Sequence, residues 1–261
     1  MKQAPPPNAP CGLLRGQSIL ITAAAGGGIG FATAQRCLAE GARGIVVADI
    51  HPRRTEEAAA KLRAEFPDRL VLHQLANVSQ EAEVQALVAF AEDQLGGVDV
   101  LVNNAGLGGS SLLVDMSDEE WSKVLDVTLT GTMRMTRAML RRMQPRGCGA
   151  IVNNASVLGW RAQKEQAHYA AAKAGVMALT RCAGLEAADF GIRINAVSPS
   201  IVFHEHLRRT SPVELLEELA GREAFGRAAE AWEIANVIVF LASDYASYLV
   251  GETISASSQR A

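Results

Sequence analysis

The 261-residue sequence has few cysteines, few aromatic residues and no excess of positive charge. Its four cysteines are far apart and form no CxxC or metal-ligand spacing, so neither a disulfide framework nor a metal site is expected. The formal net charge of −3 argues against nucleic acid or an anionic membrane as the main partner. No run approaches the ~20 consecutive apolar residues of a membrane-spanning helix. These features favour a cytoplasmic protein with reduced thiols.

The N-terminal region is rich in proline and lacks the apolar core of a secretion signal. Residues 1–15 are therefore predicted to form a flexible lead-in. The remaining segment, 16–261, has a length typical of one α/β domain, and its sequence contains neither an internal repeat nor an inter-domain linker.

Short apolar runs alternate with longer segments of helical periodicity. Strands are predicted at 18–23, 44–49, 70–75, 99–104, 150–155, 193–198 and 252–257. Helices are predicted at 29–41, 55–65, 80–95, 118–144, 167–190 and 229–243, with a weaker pattern at 212–220. This alternation predicts a single-domain, Rossmann-like α/β fold, a doubly wound parallel sheet of about seven strands with helices on both faces. Ligands of such sheets bind beyond the carboxyl ends of the strands.

A glycine-rich turn, TAAAGGGIG at 22–30, follows the first predicted strand and opens a helix. Such glycines let the backbone approach a pyrophosphate that the helix N-terminus attracts, so a dinucleotide site is favoured over a bare turn. Asp49 ends the second strand, where a carboxylate can bond the ribose hydroxyls of NAD and repel a 2′-phosphate. Arg53 and Arg54 follow and could receive such a phosphate. NAD is therefore the preferred cofactor, with NADP as the alternative.

A second group of polar residues follows the fifth predicted strand, which ends at Ser156. Tyr169 and Lys173 are four residues apart, so they lie one turn apart on one helical face. The ammonium group is expected to lower the phenol pKa from about 10 toward neutrality, and the serine hydroxyl can bond a substrate carbonyl. The alternative is a half-exposed aromatic residue beside a solvated lysine.

Taken together, these motifs resemble those of the short-chain dehydrogenase/reductase superfamily over about residues 15–255. The matching elements are TAAAGGGIG at 22–30, Asp49, NNAG at 103–106, Ser156, YAAAK at 169–173 and NAVSP at 195–199. The resemblance implies that Ser156, Tyr169 and Lys173 carry catalysis and that Lys173 also holds the nicotinamide ribose. The implied cofactor contacts are Thr22, Gly26, Gly28, Ile29, Gly30, Asp49, Asn77, Val78, Asn104, Ala105, Gly106, Tyr169, Lys173, Pro199 and Val202.

The chain departs from the family pattern at several positions. Ala24 replaces the first glycine of the turn, or one residue is inserted after Thr22, and Asn77 replaces an aspartate. Thr128 stands where the family has an asparagine that holds a water in the proton relay, so Thr128 is placed among the catalytic candidates. Ser200 replaces a glycine, and His204 stands where a threonine often anchors the cofactor loop.

The segment at about 200–228 is expected to close over the substrate as a lid. His204, His206, Arg208 and Arg209 could receive an anionic handle such as a CoA phosphate, or could form a solvated helix end. Trp160 is expected either to line an apolar substrate pocket or to lie in the core. His168 is expected to be a packing residue rather than a second base. The substrate-contact candidates are Ser156, Trp160, Tyr169 and His204.

A narrower resemblance concerns the reductases of actinobacterial steroid catabolism that act on hydroxylated indane-propanoyl-CoA intermediates. It rests on VNNASVLGWRAQ, AHYAAAKAGVMALTRC, EAFGRAAE and FLASDY. It implies an NAD(P)-dependent oxidoreductase for a bulky secondary alcohol or ketone, steroid-derived or linked to CoA. A 3-oxoacyl thioester reductase shares every predicted catalytic residue and remains the alternative. A sugar-nucleotide epimerase would need a longer chain, and a non-catalytic nucleotide sensor would be expected to lack the tyrosine or lysine.

The resemblance also implies a homodimer or homotetramer. The helices at 118–144 and 167–190 are the expected association surfaces. The alternative is that the methionines of the first helix, at positions 133, 135, 139 and 143, fill the core of the monomer.

Overall fold

The structure, a computed structural model, describes residues 3–203 and 213–258. Its centre is a parallel sheet of seven strands in the order β3-β2-β1-β4-β5-β6-β7. The strands are β1 (Ser18–Thr22), β2 (Gly44–Asp49), β3 (Leu70–Leu75), β4 (Val100–Asn103), β5 (Gly149–Asn154), β6 (Ile192–Pro199) and β7 (Thr253–Ala256). The predicted doubly wound sheet is confirmed.

Helices connect the strands on both faces of the sheet. They are α1 (Ile29–Ala39), α2 (Pro52–Glu65), α3 (Glu81–Leu95), α4 (Asp118–Leu125), α5 (Gly131–Met143), α6 (Ala167–Ala188), α7 (Val213–Arg222) and α8 (Ala231–Ala242). A π-helical turn, Asp126–Thr130, joins α4 to α5. The segment predicted as one helix at 118–144 is therefore two helices with an irregular turn between them.

Successive residues of each strand pack into opposite cores, because side chains alternate across a sheet. Ile19 and Ile21 of β1 pack with α1, α2 and α8, whereas Leu20 packs with α3, α5 and α6. The second core includes three methionines of α5 that are at most 1 % exposed, namely Met135, Met139 and Met143. These methionines fill the core of the monomer, so that alternative is confirmed for them.

Part of the predicted N-terminal lead-in is hydrogen-bonded to α1. The carboxylate of Glu40, which is fully buried, accepts the main-chain N–H groups of Cys11, Gly12 and Leu13 at 3.0, 2.7 and 3.0 Å. Its other oxygen accepts a hydrogen bond from Arg36 at 2.5 Å. Burial opposes ionisation of Glu40, but these donors outweigh it and lower its pKa. The domain boundary at residues 15 and 16 stays a prediction.

The order of the strands reverses between β1 and β4, which places a crevice at the carboxyl end of the sheet. The glycine turn, Asp49, Asn104 and Ser156 all follow strands at this edge. Over the described residues, the protein has no helix long and apolar enough to cross a membrane.

Candidate active site

The turn between β1 and α1 is tied to the end of β4 by Thr22 and Asn104. The hydroxyl of Thr22 accepts the N–H groups of Asn104 and Ala105, each at 3.0 Å. The side chain of Asn104 donates to the main-chain oxygens of Thr22 at 3.3 Å and Ala23 at 2.9 Å. Ala23 adopts φ +50°, so an alanine occupies the left-handed conformation in this turn.

The glycines of this turn fit a dinucleotide. Around Gly26 and Gly27, no described atom lies within 4 Å of where a Cβ would stand, which leaves room for a pyrophosphate. At Gly30 a Cβ would lie 2.5 Å from the oxygen of Ala23, so only glycine allows this packing. Gly28 is the N-cap residue of α1, and no side chain of the described residues caps this end of the helix. The free main-chain N–H groups there favour an anion.

Asp49 lies beside this turn at the end of β2. Its carboxylate accepts the N–H groups of Ile50 at 2.8 Å and of Ala25 at 3.3 Å. Burial raises its pKa in spite of these donors and of the positive charge on Arg54. The side chain of Arg53 is 86 % exposed and lies 3.6 Å from Glu57, so it points into solvent rather than against Asp49.

The other predicted cofactor residues lie at the same edge of the sheet. Asn77 accepts hydrogen bonds from the N–H and hydroxyl of Ser79 at 3.0 and 2.8 Å, which fixes the turn after β3. Val78 is buried, and its side chain fills the space where a Cβ on Gly131 would stand. Val202 is buried just beyond β6, which ends at Pro199.

The structure brings Ser156, Tyr169 and Lys173 together. Ser156 is the N-cap of a 3₁₀ turn, and its hydroxyl accepts the N–H of Leu158 at 3.2 Å. The hydroxyl of Ser156 interacts with the phenol of Tyr169 and lowers the pKa of that phenol. The ammonium group of Lys173 lies 5.5 Å from the centroid of the Tyr169 ring and donates to the main-chain oxygen of Asn154 at 2.5 Å.

The pKa values at this site differ from the expectation drawn from the spacing. Burial raises the pKa of Tyr169 to about 12, although the hydrogen bond from Ser156 acts in the opposite direction. Burial lowers the pKa of Lys173 to about 8. The expected fall of the phenol pKa toward neutrality is therefore wrong for this structure, because the loss of hydration outweighs the effect of Ser156.

Thr128 lies in the π-helical turn and is fully buried. Its hydroxyl accepts the N–H of Leu107 at 2.9 Å and donates to the oxygen of the same residue at 3.0 Å. Because a hydroxyl has one donor, Thr128 in this arrangement can only accept from a water. Gly106 separates it from Lys173, since a Cβ on Gly106 would lie 3.4 Å from Nζ and 3.8 Å from the hydroxyl of Thr128.

This chain is similar to known proteins over most of its length. Residues 23–258 match the family model described as enoyl-(acyl carrier protein) reductase. A reductase of Mycobacterium tuberculosis is 60 % identical over 250 residues, which cover 95 % of this chain and 94 % of that protein. It is named (5R,7aS)-5-hydroxy-7a-methyl-1-oxo-2,3,5,6,7,7a-hexahydro-1H-indene-carboxyl-CoA reductase. The chain belongs to the short-chain dehydrogenase/reductase family.

Solved structures of this family agree with that assignment. A short-chain dehydrogenase from Mycobacterium smegmatis has a TM-score of 0.88 and 53 % identity, and the match covers 100 % of this chain and 99 % of that one. Levodione reductase has a TM-score of 0.89 and 35 % identity, with coverage of 94 % and 97 %. As a short-chain dehydrogenase/reductase, this protein is an oxidoreductase that acts on alcohol or carbonyl groups with a nicotinamide cofactor.

Two predicted substrate residues have different outcomes in this short-chain dehydrogenase/reductase. Trp160 is 51 % exposed, so its placement in the core is wrong and a surface position after Ser156 is observed. His204 lies outside the described residues, as do His206, Arg208 and Arg209. Within the predicted lid, the structure describes α7.

Sequence reasoning placed Asn104, Ala105 and Gly106 of the loop after β4 but missed Gly108 and Gly109 of the same loop and the side chain of Asn154. A Cβ on Gly108 would lie 3.7 Å from Tyr169, and one on Gly109 would lie 2.7 Å from His168. His168 is buried, and its Nδ1 accepts the N–H of Tyr169 at 2.9 Å. The run of glycines after NNAG was the available signal for this close approach. Among described residues, no cluster of three or more His, Cys, Asp or Glu could hold a metal ion.

Proposed function

We propose that this protein is an NAD-dependent reductase of a bulky ketone, or the dehydrogenase of the corresponding secondary alcohol, on a steroid-derived CoA thioester. The grouping of buried Ser156 and Lys173 with the partly buried Tyr169, beside an open glycine turn, carries this proposal. NAD, when bound, accepts or supplies the hydride at the substrate carbon, and the side chains move the proton.

The hydroxyls of Ser156 and Tyr169 would bind the substrate carbonyl oxygen, since the two side chains already interact with each other. In the reductive direction a hydride adds to the carbonyl carbon, and Tyr169 gives its phenolic proton to the oxygen. In the oxidative direction the phenolate takes that proton back. Lys173 would stabilise the phenolate with its charge and bind the ribose hydroxyls.

The elevated pKa of Tyr169, about 12, keeps the phenol protonated at neutral pH, which suits proton donation to a ketone. Alcohol oxidation needs the phenolate and is expected to accelerate as the pH rises. Thr128 would orient the loop after β4 through Leu107 and accept a hydrogen bond from a relay water.

Asp49 supports the preference for NAD. Its carboxylate lies next to the glycine turn, bound to the N–H of Ala25, where it would meet the adenosine ribose. A 2′-phosphate there would be repelled by the carboxylate, and the exposed Arg53 would have to turn inward to neutralise it. Arg54 is partly buried, and its positive charge already acts on Asp49. Asn77, Val78, Pro199 and Val202 would complete the cofactor contacts.

The substrate class rests on the 60 % identical reductase of Mycobacterium tuberculosis, whose name specifies a bicyclic CoA thioester. Exposed apolar side chains in the segments that follow Ser156 and β4 would suit a bulky ring system: Trp160, Leu113 and Val114 are 51, 69 and 90 % exposed. The lid at 200–228, with His204 as a substrate contact, would cover it. Reduction of 3-oxoacyl thioesters is the second candidate, because the 3-oxoacyl-[acyl-carrier-protein] reductase of Vibrio cholerae is 35 % identical over 241 residues.

Absorbance at 340 nm distinguishes these substrates. Steroid-derived acyl-CoA alcohols and ketones, simple steroid alcohols and 3-oxoacyl thioesters would each be tested with both nicotinamides. We expect turnover of the steroid-derived CoA substrates with NAD and a loss of about 10³-fold or more in Tyr169→Phe. Rapid turnover of 3-oxoacyl thioesters, with none of steroid-derived thioesters, would favour the second candidate.

The protein is further proposed to act in the cytoplasm as a homodimer or homotetramer. Exposed apolar residues on α6 and after α8 support assembly. No helix among the described residues could cross a membrane, which is compatible with the cytoplasm.

A further inference from the structure

Asn154, the last residue of β5, contacts both parts of the site. Its main-chain oxygen accepts the hydrogen bond from Lys173 at 2.5 Å. Its side-chain amide donates to Oδ1 of Asn104 at 2.9 Å. Asn104 donates in turn to the main-chain oxygen of Ala23 at 2.9 Å. Three hydrogen bonds therefore connect the glycine turn with the buried lysine.

The neighbouring asparagine has a different set of partners. Asn153 accepts a hydrogen bond from Asn103 at 2.9 Å and donates to Thr180 at 2.9 Å. It therefore binds β5 to β4 and α6, inside the protein. Asn154 faces the opposite side of the strand, because side chains alternate. Of the two, only Asn154 is bonded to both Asn104 and Lys173 among the described partners.

The side-chain oxygen of Asn154 is buried, and no residue in 3–203 or 213–258 donates a hydrogen bond to it. A buried amide oxygen without a partner is less favourable than an apolar group of the same shape. Asparagine is therefore not the residue that would make this strand end most stable. This observation points to a role in function.

We propose that Asn154 is a positioning residue: its amide fixes the main-chain carbonyl that holds Lys173 at a set place relative to the glycine turn. The inference rests on the proposed function, in which Lys173 binds the ribose and supports Tyr169. Asn154 touches no reacting atom in this scheme. Leucine at this position would preserve volume and strand packing but would release Asn104.

The titration of Lys173 can report this positioning, because few groups that titrate face it. Tyr169, on the same helix, has its ring centroid 5.5 Å from the ammonium group. Gly106, from the loop after β4, and Thr128 behind it do not titrate in this range. From β5, the main-chain oxygen of Asn154 faces the ammonium group. Among the described residues, burial is the one cause that shifts the pKa of Lys173.

Two variants with opposite expected effects test the proposal. Calorimetric titration with NAD from pH 6 to 10 measures affinity without requiring turnover, and affinity should fall as Lys173 loses its proton. In Asn154→Leu the carbonyl is less well placed, so we expect this fall at a pH lower by about one unit and affinity at pH 7 about tenfold weaker. In Asn154→Asp a carboxylate near the ammonium group should move the fall to higher pH.

Asn236→Leu is the matched control, since Asn236 on α8 also has a buried side-chain oxygen without a partner among the described residues. It should change the melting temperature and leave the pH dependence of binding in place. If Asn154→Leu behaves in the same way, Asn154 is structural and the inference is wrong. If Asn154→Leu does not fold, NAD affinity of Asn154→Asp at pH 7 decides, because its carboxylate cannot donate to Oδ1 of Asn104 either. Unchanged affinity would then make the inference wrong.

Failure of the proposed function gives a different result. In that case the unmodified protein binds NAD with the expected pH dependence but turns over neither alcohols nor ketones. A fall of affinity at lower pH in Asn154→Leu, without such a change in Asn236→Leu, would then still establish the positioning of Lys173.

Discussion

Two glycines of the first turn have different surroundings. A Cβ on Gly30 would meet the oxygen of Ala23 at 2.5 Å and the side chain of Asn104 at 2.6 Å. Around Gly27 no described atom lies within 4 Å of such a Cβ, and the φ angle of Gly27 is not positive. The folded chain alone therefore does not require glycine at position 27, whereas a bound pyrophosphate would.

Gly27→Ala separates these two requirements. We expect a melting temperature within about 1 °C of the unmodified protein, because the methyl group enters open space, and NAD affinity reduced about tenfold, equivalent to ~1.4 kcal/mol. Thermal unfolding and calorimetric titration measure the two quantities. Gly221→Ala, on α7 and also in open surroundings, should change neither quantity appreciably. Unchanged NAD affinity in Gly27→Ala would show that the pyrophosphate lies elsewhere.

Lys173 also affects stability through its burial. Its pKa falls from 10.5 to about 8 on folding, so the folded state releases the proton before the unfolded state does. Stability should therefore rise with pH between about 8 and 10.5. Between these pH values, the free energy of unfolding of the unmodified protein should rise on the order of 2 kcal/mol relative to that of Lys173→Met.

Urea unfolding at pH 7, 8, 9 and 10 would measure this difference. Lys123→Met, which removes an exposed lysine on α4, controls for the loss of one positive charge. A constant difference between Lys173→Met and the unmodified protein across this range would show that the ammonium group is hydrated in the folded state.

At the scale of elements, the N-terminal segment depends on one carboxylate. Glu40 binds three main-chain N–H groups of residues 11–13, and its pKa is held below 4.5. Such a carboxylate stabilises the fold at pH values above the pKa that it has in the unfolded chain. This stabilisation is lost as the pH falls through the lower pKa of the folded state. Glu40→Gln should reduce stability by about 2 kcal/mol at pH 7, and the difference should shrink below pH 4.5.

Unfolding in urea at pH 7, 4 and 3 would test this. Glu119→Gln, at an exposed position on α4, is the control. Equal stability of Glu40→Gln and the unmodified protein at pH 7 would contradict the importance of this contact.

The order of strands and helices could be predicted because most strands are short and apolar, and β1, β2, β4, β5 and β6 are largely buried on both faces. The π-helical turn Asp126–Thr130 could not, because one extra residue in a turn barely changes the spacing of apolar side chains. Spacing also placed Tyr169 beside Lys173 correctly, yet it contains no information on burial. The predicted direction of the phenol pKa was therefore wrong. Asn154 was missed because a strand-end asparagine gives no sign of its partners.

At the scale of the whole molecule, the surface contains apolar side chains that a monomer would leave in water. Three of the four methionines of α5 are used within the core, and Met133 is partly buried, so α5 offers mainly arginines to a partner. On α6, Leu185 is 73 % exposed, and Phe190 just beyond the helix is 42 % exposed. After α8, Tyr245 and Tyr248 are 77 and 99 % exposed. Two such patches suit a dimer that pairs again into a tetramer.

Association through α6 would bury Leu185 against a second copy of the chain. Leu185→Glu should then shift the sedimentation coefficient from that of a tetramer or dimer to that of a smaller species, because a carboxylate buried in an apolar contact is strongly unfavourable. Val213→Glu is the matched control, since this valine is 59 % exposed on α7, away from α6. Sedimentation velocity over a hundredfold range of concentration measures both variants. If Leu185→Glu sediments as the unmodified protein does, the α6 face is not the association surface, and the tyrosines after α8 become the next positions to substitute.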